Sequence, residues 1–187
     1  MENLDFFNKV KGFLISPVHT FQEVKDEAMK GALRYFIAWI IIFSIMFAIA
    51  VTFILPIENL GPIQPLIDIT QGIYSGIAFF FMALIAGIFS IFIGAGILHI
   101  GAILVGGKNG YRQTFKASVY SLTPSFILGW FPLLLIPISI WSFILVILGL
   151  RELHDISTGK AFLAAILPTI IILGVTIAFT MIIGYPF

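Results

Sequence analysis

The chain has no cysteine and few charges: of 187 residues, only 10% are Asp, Glu, Lys or Arg. The first absence removes disulfides and thiolate metal sites, though it says little about compartment. The second removes a soluble fold. Soluble domains carry about 25% charged and about 45–50% apolar residues, whereas 60% of this chain is hydrophobic. A domain of this size must still cover itself with polar groups, and too few are present. Also missing are the alternating segments of ~10 residues that a membrane β-barrel needs. The apolar runs, such as 36–55 and 161–183, are continuous instead. In hydrocarbon every backbone group must bond internally, so helices remain. Residues 1–34 lack the basic, apolar and small-residue pattern of a cleaved signal peptide, so the first span is expected to serve as the insertion signal. The net charge of +1 suggests no nucleic-acid partner.

What is present reads as an all-α, polytopic membrane protein. The first span runs from Tyr35 to about Leu55 and is stopped by Pro56, long enough for a ~30 Å hydrocarbon core. A loop, Pro56–Gln71, holds Glu58 and Asp68. The next apolar run goes from Gly72 to Val105. As one helix it is roughly 50 Å long, too long to stand upright, so it tilts or projects. The ten Lys and Arg then set the count. Lys9, Lys11, Lys25, Lys30 and Arg34 precede the first span; Lys108, Arg112 and Lys116 follow the second run; Arg151 and Lys160 flank the loop before the last. Cytosolic loops carry the Lys/Arg excess, so an even number of crossings separates each pair of clusters. A five-transmembrane-helix bundle follows, with spans near 35–55, 72–105, 114–131, 133–150 and 161–184, the third and fourth turned at Trp130-Phe131-Pro132. The N-terminus is then cytosolic and the C-terminus outside, with the cell membrane as the expected location.

Residues 1–34 form a separate segment ahead of the membrane domain 35–187. Leu4, Phe7, Val10 and Leu14 recur at helical spacing. Ser16-Pro17 resembles an N-cap followed by proline at the first helical position. Val18, Phe21 and Val24 then share one face, with Glu23, Asp26 and Glu27 opposite. Two short amphipathic helices lying on the membrane surface are expected, anchoring the first span or forming a docking platform.

Within the second run, Gly76, Ala83, Gly87, Ser90, Gly94 and Gly101 lie along one helical face. Small faces let helix backbones approach closely, so this one should pack on the first or fifth span, a homo-oligomer interface being the alternative. The third span is polar, with Ser118, Tyr120, Ser121, Thr123, Pro124 and Ser125, and should face the bundle interior. Pro124 frees a carbonyl near position 120 that neighbouring hydroxyls can satisfy, and Pro168 should kink the last span. A kink beside hydroxyls also fits a transport path. His99 is the ionisable side chain well inside a span, which makes it a functional candidate. The plainer reading is a neutral imidazole bonded to a third-span hydroxyl, with Tyr120 the expected partner, because such a ring costs little beside a buried charge.

Gly101–Asn109 imitates a phosphate-binding P-loop, but Ala102 replaces the required glycine and Asn109 the hydroxyl residue. Gly106-Gly107 more simply ends the second helix. Arg151–Lys160 reads as a solvated loop in which Ser157 or Thr158 caps the last span. Glu152, His154 and Asp155 have no zinc-ligand spacing. No nucleophile–base pairing stands out, so no enzyme, metal site or cofactor is expected. The candidates for interaction on the cytosolic face are Gly106, Gly107, Lys108, Arg112, Lys116, Arg151, Glu152, His154 and Asp155.

Several stretches resemble the Yip family of Ypt/Rab-interacting membrane proteins, in its short prokaryotic branch. They are Ser16-Pro17 with Phe21 and Val24; His99 with Gly106-Gly107-Lys108; Phe115-Lys116-Ala117 with Tyr120-Ser121 and Pro124; and Gly149-Leu150 with Leu153-His154, Ser157 and Lys160-Ala161. The resemblance implies five spans, a cytosolic N-terminus and a role in membrane organisation. The chain lacks the long hydrophilic N-terminal region and the Asp-Leu-Tyr-Gly-Pro motif of the eukaryotic relatives, so their GTPase partners do not carry over. The expected function is a non-enzymatic scaffold or adaptor that binds membrane lipids, a protein partner or copies of itself. A small transporter or channel is the alternative.

Overall fold

The computed structural model describes residues 4–53, 73–129 and 131–183, and among these every regular element is helical. The loop with Glu58 and Asp68, the turn residue Trp130 and the last four residues lie outside the described residues.

Helix α1, Phe6–Ile15, begins at Asp5, whose carboxylate accepts from the Asn8 N–H at 2.7 Å. Helix α2, Pro17–Glu23, starts on proline as expected, but Ser16 makes no side-chain cap. Its carbonyl instead accepts from the Thr20 hydroxyl at 2.9 Å. Helix α3 is Met29–Phe53, and α4 is one unbroken helix, Ile73–Leu104. The Gly106-Gly107 stop is local and legible. Gly106 has φ +94°, its N–H bonds Ile103 O at 2.9 Å, and the Gly107 N–H bonds Ala102 O at 2.8 Å. That pair of bonds is a Schellman ending.

The expected third span, 114–131, is not one helix. It is α5, Gly110–Ser121, and α6, Thr123–Leu128, interrupted at Leu122. Pro124 is the reason, since it has no N–H to donate. The Tyr120 carbonyl that loses its helical donor accepts from Thr123 Oγ1 at 2.6 Å. After a 3-10 turn at Pro132–Leu134, α7 runs Leu135–His154, so Arg151–His154 are helical rather than loop. Helix α8, Thr158–Ile183, contains Pro168 and starts with the Lys160 N–H bonded to Ser157 Oγ at 3.4 Å.

Side-chain pairing shows the chain reversing. Phe47 meets Phe79, and a Cβ on Gly76 or Gly87 would meet Thr52 or Ile40, so α3 and α4 are antiparallel. Thr114 meets His154, Ala117 faces Gly149 and Ser125 bonds Ser142, so α5–α6 and α7 are antiparallel as well. Among the described residues, three helices are long and apolar enough to cross a membrane: Met29–Ala50, Gly76–Leu104 and Leu135–His154. Thr158–Pro168 adds a shorter apolar one. Their outer faces stay uncovered. Ile37, Ile41, Ile45 and Ile49 form an exposed stripe on α3, and Ile77, Phe81, Ile85 and Phe89 do the same on α4. Hydrocarbon is the solvent such stripes require, and the chain is a membrane protein. Most of α5 is enclosed instead, with every residue from Gln113 to Ser121 buried.

The N-terminal helices differ from the expected surface pair. Phe13, Phe21 and Val24 are inside the core. Phe13 stacks on Tyr120 at 4.6 Å between ring centroids, and Phe21 packs over Gly149. The expected apolar face of α2 meets protein, but in α1 it is Phe13 that turns inward, while Phe7 and Leu14 of the expected face are exposed.

Candidate functional site

Two buried polar clusters and a surface network lie where the ends of α2, α4 and α7 meet the start of α5. The last carbonyls of a helix have no partner within it. Just past the end of α2, the carbonyls of its C-cap and the following turn are taken by a side chain from α5. Lys116 Nζ donates to Val24 O at 2.8 Å, Lys25 O at 2.6 Å and Glu27 O at 3.1 Å. All three ammonium donors are thereby used. Gln113 Nε2 adds a bond to Lys25 O at 3.0 Å. One turn on, the Tyr120 hydroxyl donates to the Glu27 carboxylate, which also pairs with Lys9. Lys116, expected on an interaction face, is 0% exposed. Three backbone carbonyls hold it inward.

The second cluster joins α4, α5 and α7. Thr114 Oγ1 lies 2.8 Å from His99 Nδ1 and 2.8 Å from His154 Nε2. Tyr120 is therefore not the partner of His99; it is engaged by Glu27. A hydroxyl has one proton, so Thr114 can donate to one imidazole and accept from the other. His154, expected in a solvated loop, is 3% exposed, and its Nδ1 is buried with no partner among the described residues. The hydroxyl–imidazole distance is one a nucleophile and its base would show. Thr114 is fully buried, however, so the triad ties helices together.

Over these clusters runs the surface network. Asn109 Nδ2 donates to Leu153 O at 2.8 Å and to Asp155 Oδ2 at 3.0 Å. Asp155, left-handed at φ 55°, also accepts from Lys25. Hydrogen bonds from Lys25 and Asn109 hold its carboxyl below the ordinary 3.8. Gln22 Nε2 reaches Glu152 at 2.8 Å, and Arg151 Nε reaches the same carboxylate at 2.7 Å. Lys108 and Arg112 stay exposed.

Of the small-residue stripe, Gly76 and Gly87 face α3, and Gly101 sits against Ala164 O and the Pro168 ring of α8. Ala83 is half-buried. Ser90 and Gly94 border an apolar cavity of about 340 Å³ with Phe36, Ile91 and Phe126. Nothing lies within 4 Å of a Cβ built on Gly94. Ser121 is buried, its hydroxyl bonded to Ala117 O at 2.6 Å, and Pro124 is buried at the start of α6.

Sequence reasoning missed Thr114, Glu27, Lys9, Gln113 and Asn109. Thr114 did carry a signal. A helical hairpin folded at Gly106-Gly107 brings together positions equally far on either side, and 99 and 114 are such a pair.

The Yip1 domain profile matches residues 11–179, from within α1 to within α8. The chain belongs to the Yip1 domain family. The matched stretch of this Yip1 protein contains Lys116 and its three carbonyl partners as well as the His99–Thr114–His154 triad. No curated protein and no solved structure matches the chain.

Proposed function

We propose that this Yip1 protein is a non-enzymatic membrane scaffold or adaptor of the short prokaryotic kind. It crosses the cell membrane five times, with its N-terminus in the cytosol and its C-terminus outside. Its cytosolic end docks a protein partner or a second copy of the chain. One observation carries the reading: the three basic clusters, far apart in sequence, meet at one end of the bundle. Lys25 bonds Asp155, and Lys116 bonds the carbonyl of Lys25. Family membership supports a membrane-associated role without catalysis. An end cross-tied in this way is preorganised, which lowers the ordering cost of binding. Lys108, Arg112 and Asp155 are the exposed groups it offers.

The transport alternative drew on the hydroxyls of the third span. Those of Ser118, Ser121 and Thr123 donate to backbone carbonyls of their own segment, which engages the groups a path would use.

Photo-crosslinking probes at positions 108, 112 and 157 in native membranes test the adaptor reading. A reproducible protein or self crosslink, lost on Lys108→Glu with Arg112→Glu, is the expected result. Crosslinks to lipid alone, with co-purification unchanged by the charge reversal, count against it. Because the chain has no cysteine, a single Lys108→Cys reports sidedness cleanly. Labelling from outside the cell overturns the topology.

A further inference from the structure

A cleft of about 390 Å³ opens between α1 and the first turns of α3. Lys9, Lys30 and Arg34 line it, with Glu27 among them. Lys9 and Glu27 form an ion pair and neutralise each other. Lys30 and Arg34 are exposed and make no ion pair among the described residues. Both lie in the first two turns of the apolar helix that starts at Met29, and the end of a spanning helix is where lipid headgroups lie. The rest of the lining includes Leu4, Phe6 and Tyr35.

The exterior below the cleft indicates what fills it. Lys30, Arg34, Ile37 and Ile41 follow at intervals of four, three and four residues, which places them on one helical face. Ile37 is 44% exposed and Ile41 40%. A cationic mouth therefore continues directly into an open apolar stripe. A free phosphate or an acidic peptide would use the mouth and leave the stripe bare; a phospholipid covers both.

We propose that this cleft binds the headgroup phosphate of an anionic phospholipid. Lys30 and Arg34 are its ligands, and one acyl chain lies along Ile37 and Ile41. The guanidinium of Arg34 can grip two phosphate oxygens at once, and Lys30 adds a point charge. The site depends on the chain lying in a bilayer and not on the adaptor reading.

Native mass spectrometry of the full-length protein tests this, after exposure to equal amounts of phosphatidylglycerol and phosphatidylcholine with matched chains. The wild type should retain phosphatidylglycerol preferentially. Lys30→Gln with Arg34→Gln should lower that retention by roughly tenfold or more, and Lys30→Arg with Arg34→Lys should keep it. Lys11→Gln with Lys160→Gln, two exposed charges away from the cleft, should leave it unchanged. Equal loss in the two charge-removing variants would make the preference a diffuse surface effect and overturn the site. So would displacement of the lipid by soluble glycerol 3-phosphate, which would assign the cleft to a free phosphate. The wild type is decisive alone, whatever the variants do to folding: no preference for the anionic lipid overturns the proposal.

Discussion

At Thr114 a single hydroxyl serves two imidazoles from different helices. Removing it leaves the buried His154 Nε2 and the part-buried His99 Nδ1 without this partner. Thr114→Val keeps the shape and should cost about 2 kcal/mol, measured by chemical denaturation in mixed micelles; Thr114→Ser should recover most of it. Lys116 makes a stronger case. Lys116→Met removes a charged donor from three carbonyls, of which Val24 keeps the Glu27 N–H and Lys25 keeps Gln113, and should destabilise by about 3 kcal/mol. Hydrogen exchange should then rise selectively across α1 and α2. Neither role was legible beforehand. Lys116 belongs by type and position to a basic cluster, and only the three-dimensional meeting of α5 with the end of α2 separates it from Lys108 and Arg112. The His99 partner failed for a similar reason. Tyr120 and Thr114 are both hydroxyls on the following segment, and the choice between them depends on the register of the hairpin. Folding about Gly106-Gly107 sets that register.

Among whole elements, the sequence was most informative where the signal is local. The Schellman ending of α4, the proline start of α2 and the single long α4 follow from glycine, proline and an unbroken apolar run. The break between α5 and α6 was half visible: Pro124 was expected to free a carbonyl, and Thr123 takes it, but a restart of the helix was not foreseen. The small face of α4 shows why a stripe alone does not say what it touches. A Cβ on Gly101 would collide with the Ala164 carbonyl, a backbone atom that cannot turn aside, whereas one on Gly94 meets nothing. Gly101→Ala should therefore destabilise by roughly 1–3 kcal/mol, and Gly94→Ala should stay within about 0.5 kcal/mol of wild type. Thermal unfolding of the two variants side by side checks the contrast. Equal effects would mean that α4 and α8 are not packed at Gly101.

For the molecule as a whole, the positive charges read from the sequence as three clusters do converge on one end, and the amphipathic N-terminal helices join that end. Their apolar faces could not be assigned to lipid or protein from periodicity, because both solvents ask for the same pattern. The tie between α2 and the turn after α7 is pH-dependent. Lys25 and Asn109 hold the Asp155 carboxyl below its ordinary 3.8. A depressed carboxylate stabilises the fold above its unfolded value, and that contribution is lost as pH falls through the lower folded value. Hydrogen exchange in α2 should thus accelerate as the pH drops below about 4, and Asp155→Asn should flatten the dependence.

The grip of Lys116 on the end of α2 also sets a timetable. Ninety-two residues separate Val24 from the lysine that holds its carbonyl. At ribosomal speeds of roughly 5–20 residues per second, that gap lasts on the order of ten seconds. Throughout it, α1 and α2 have been made but their lock has not. A nascent chain therefore leaves Phe13 without its stacking partner until Tyr120 is translated, and Phe21 without Gly149 for longer still.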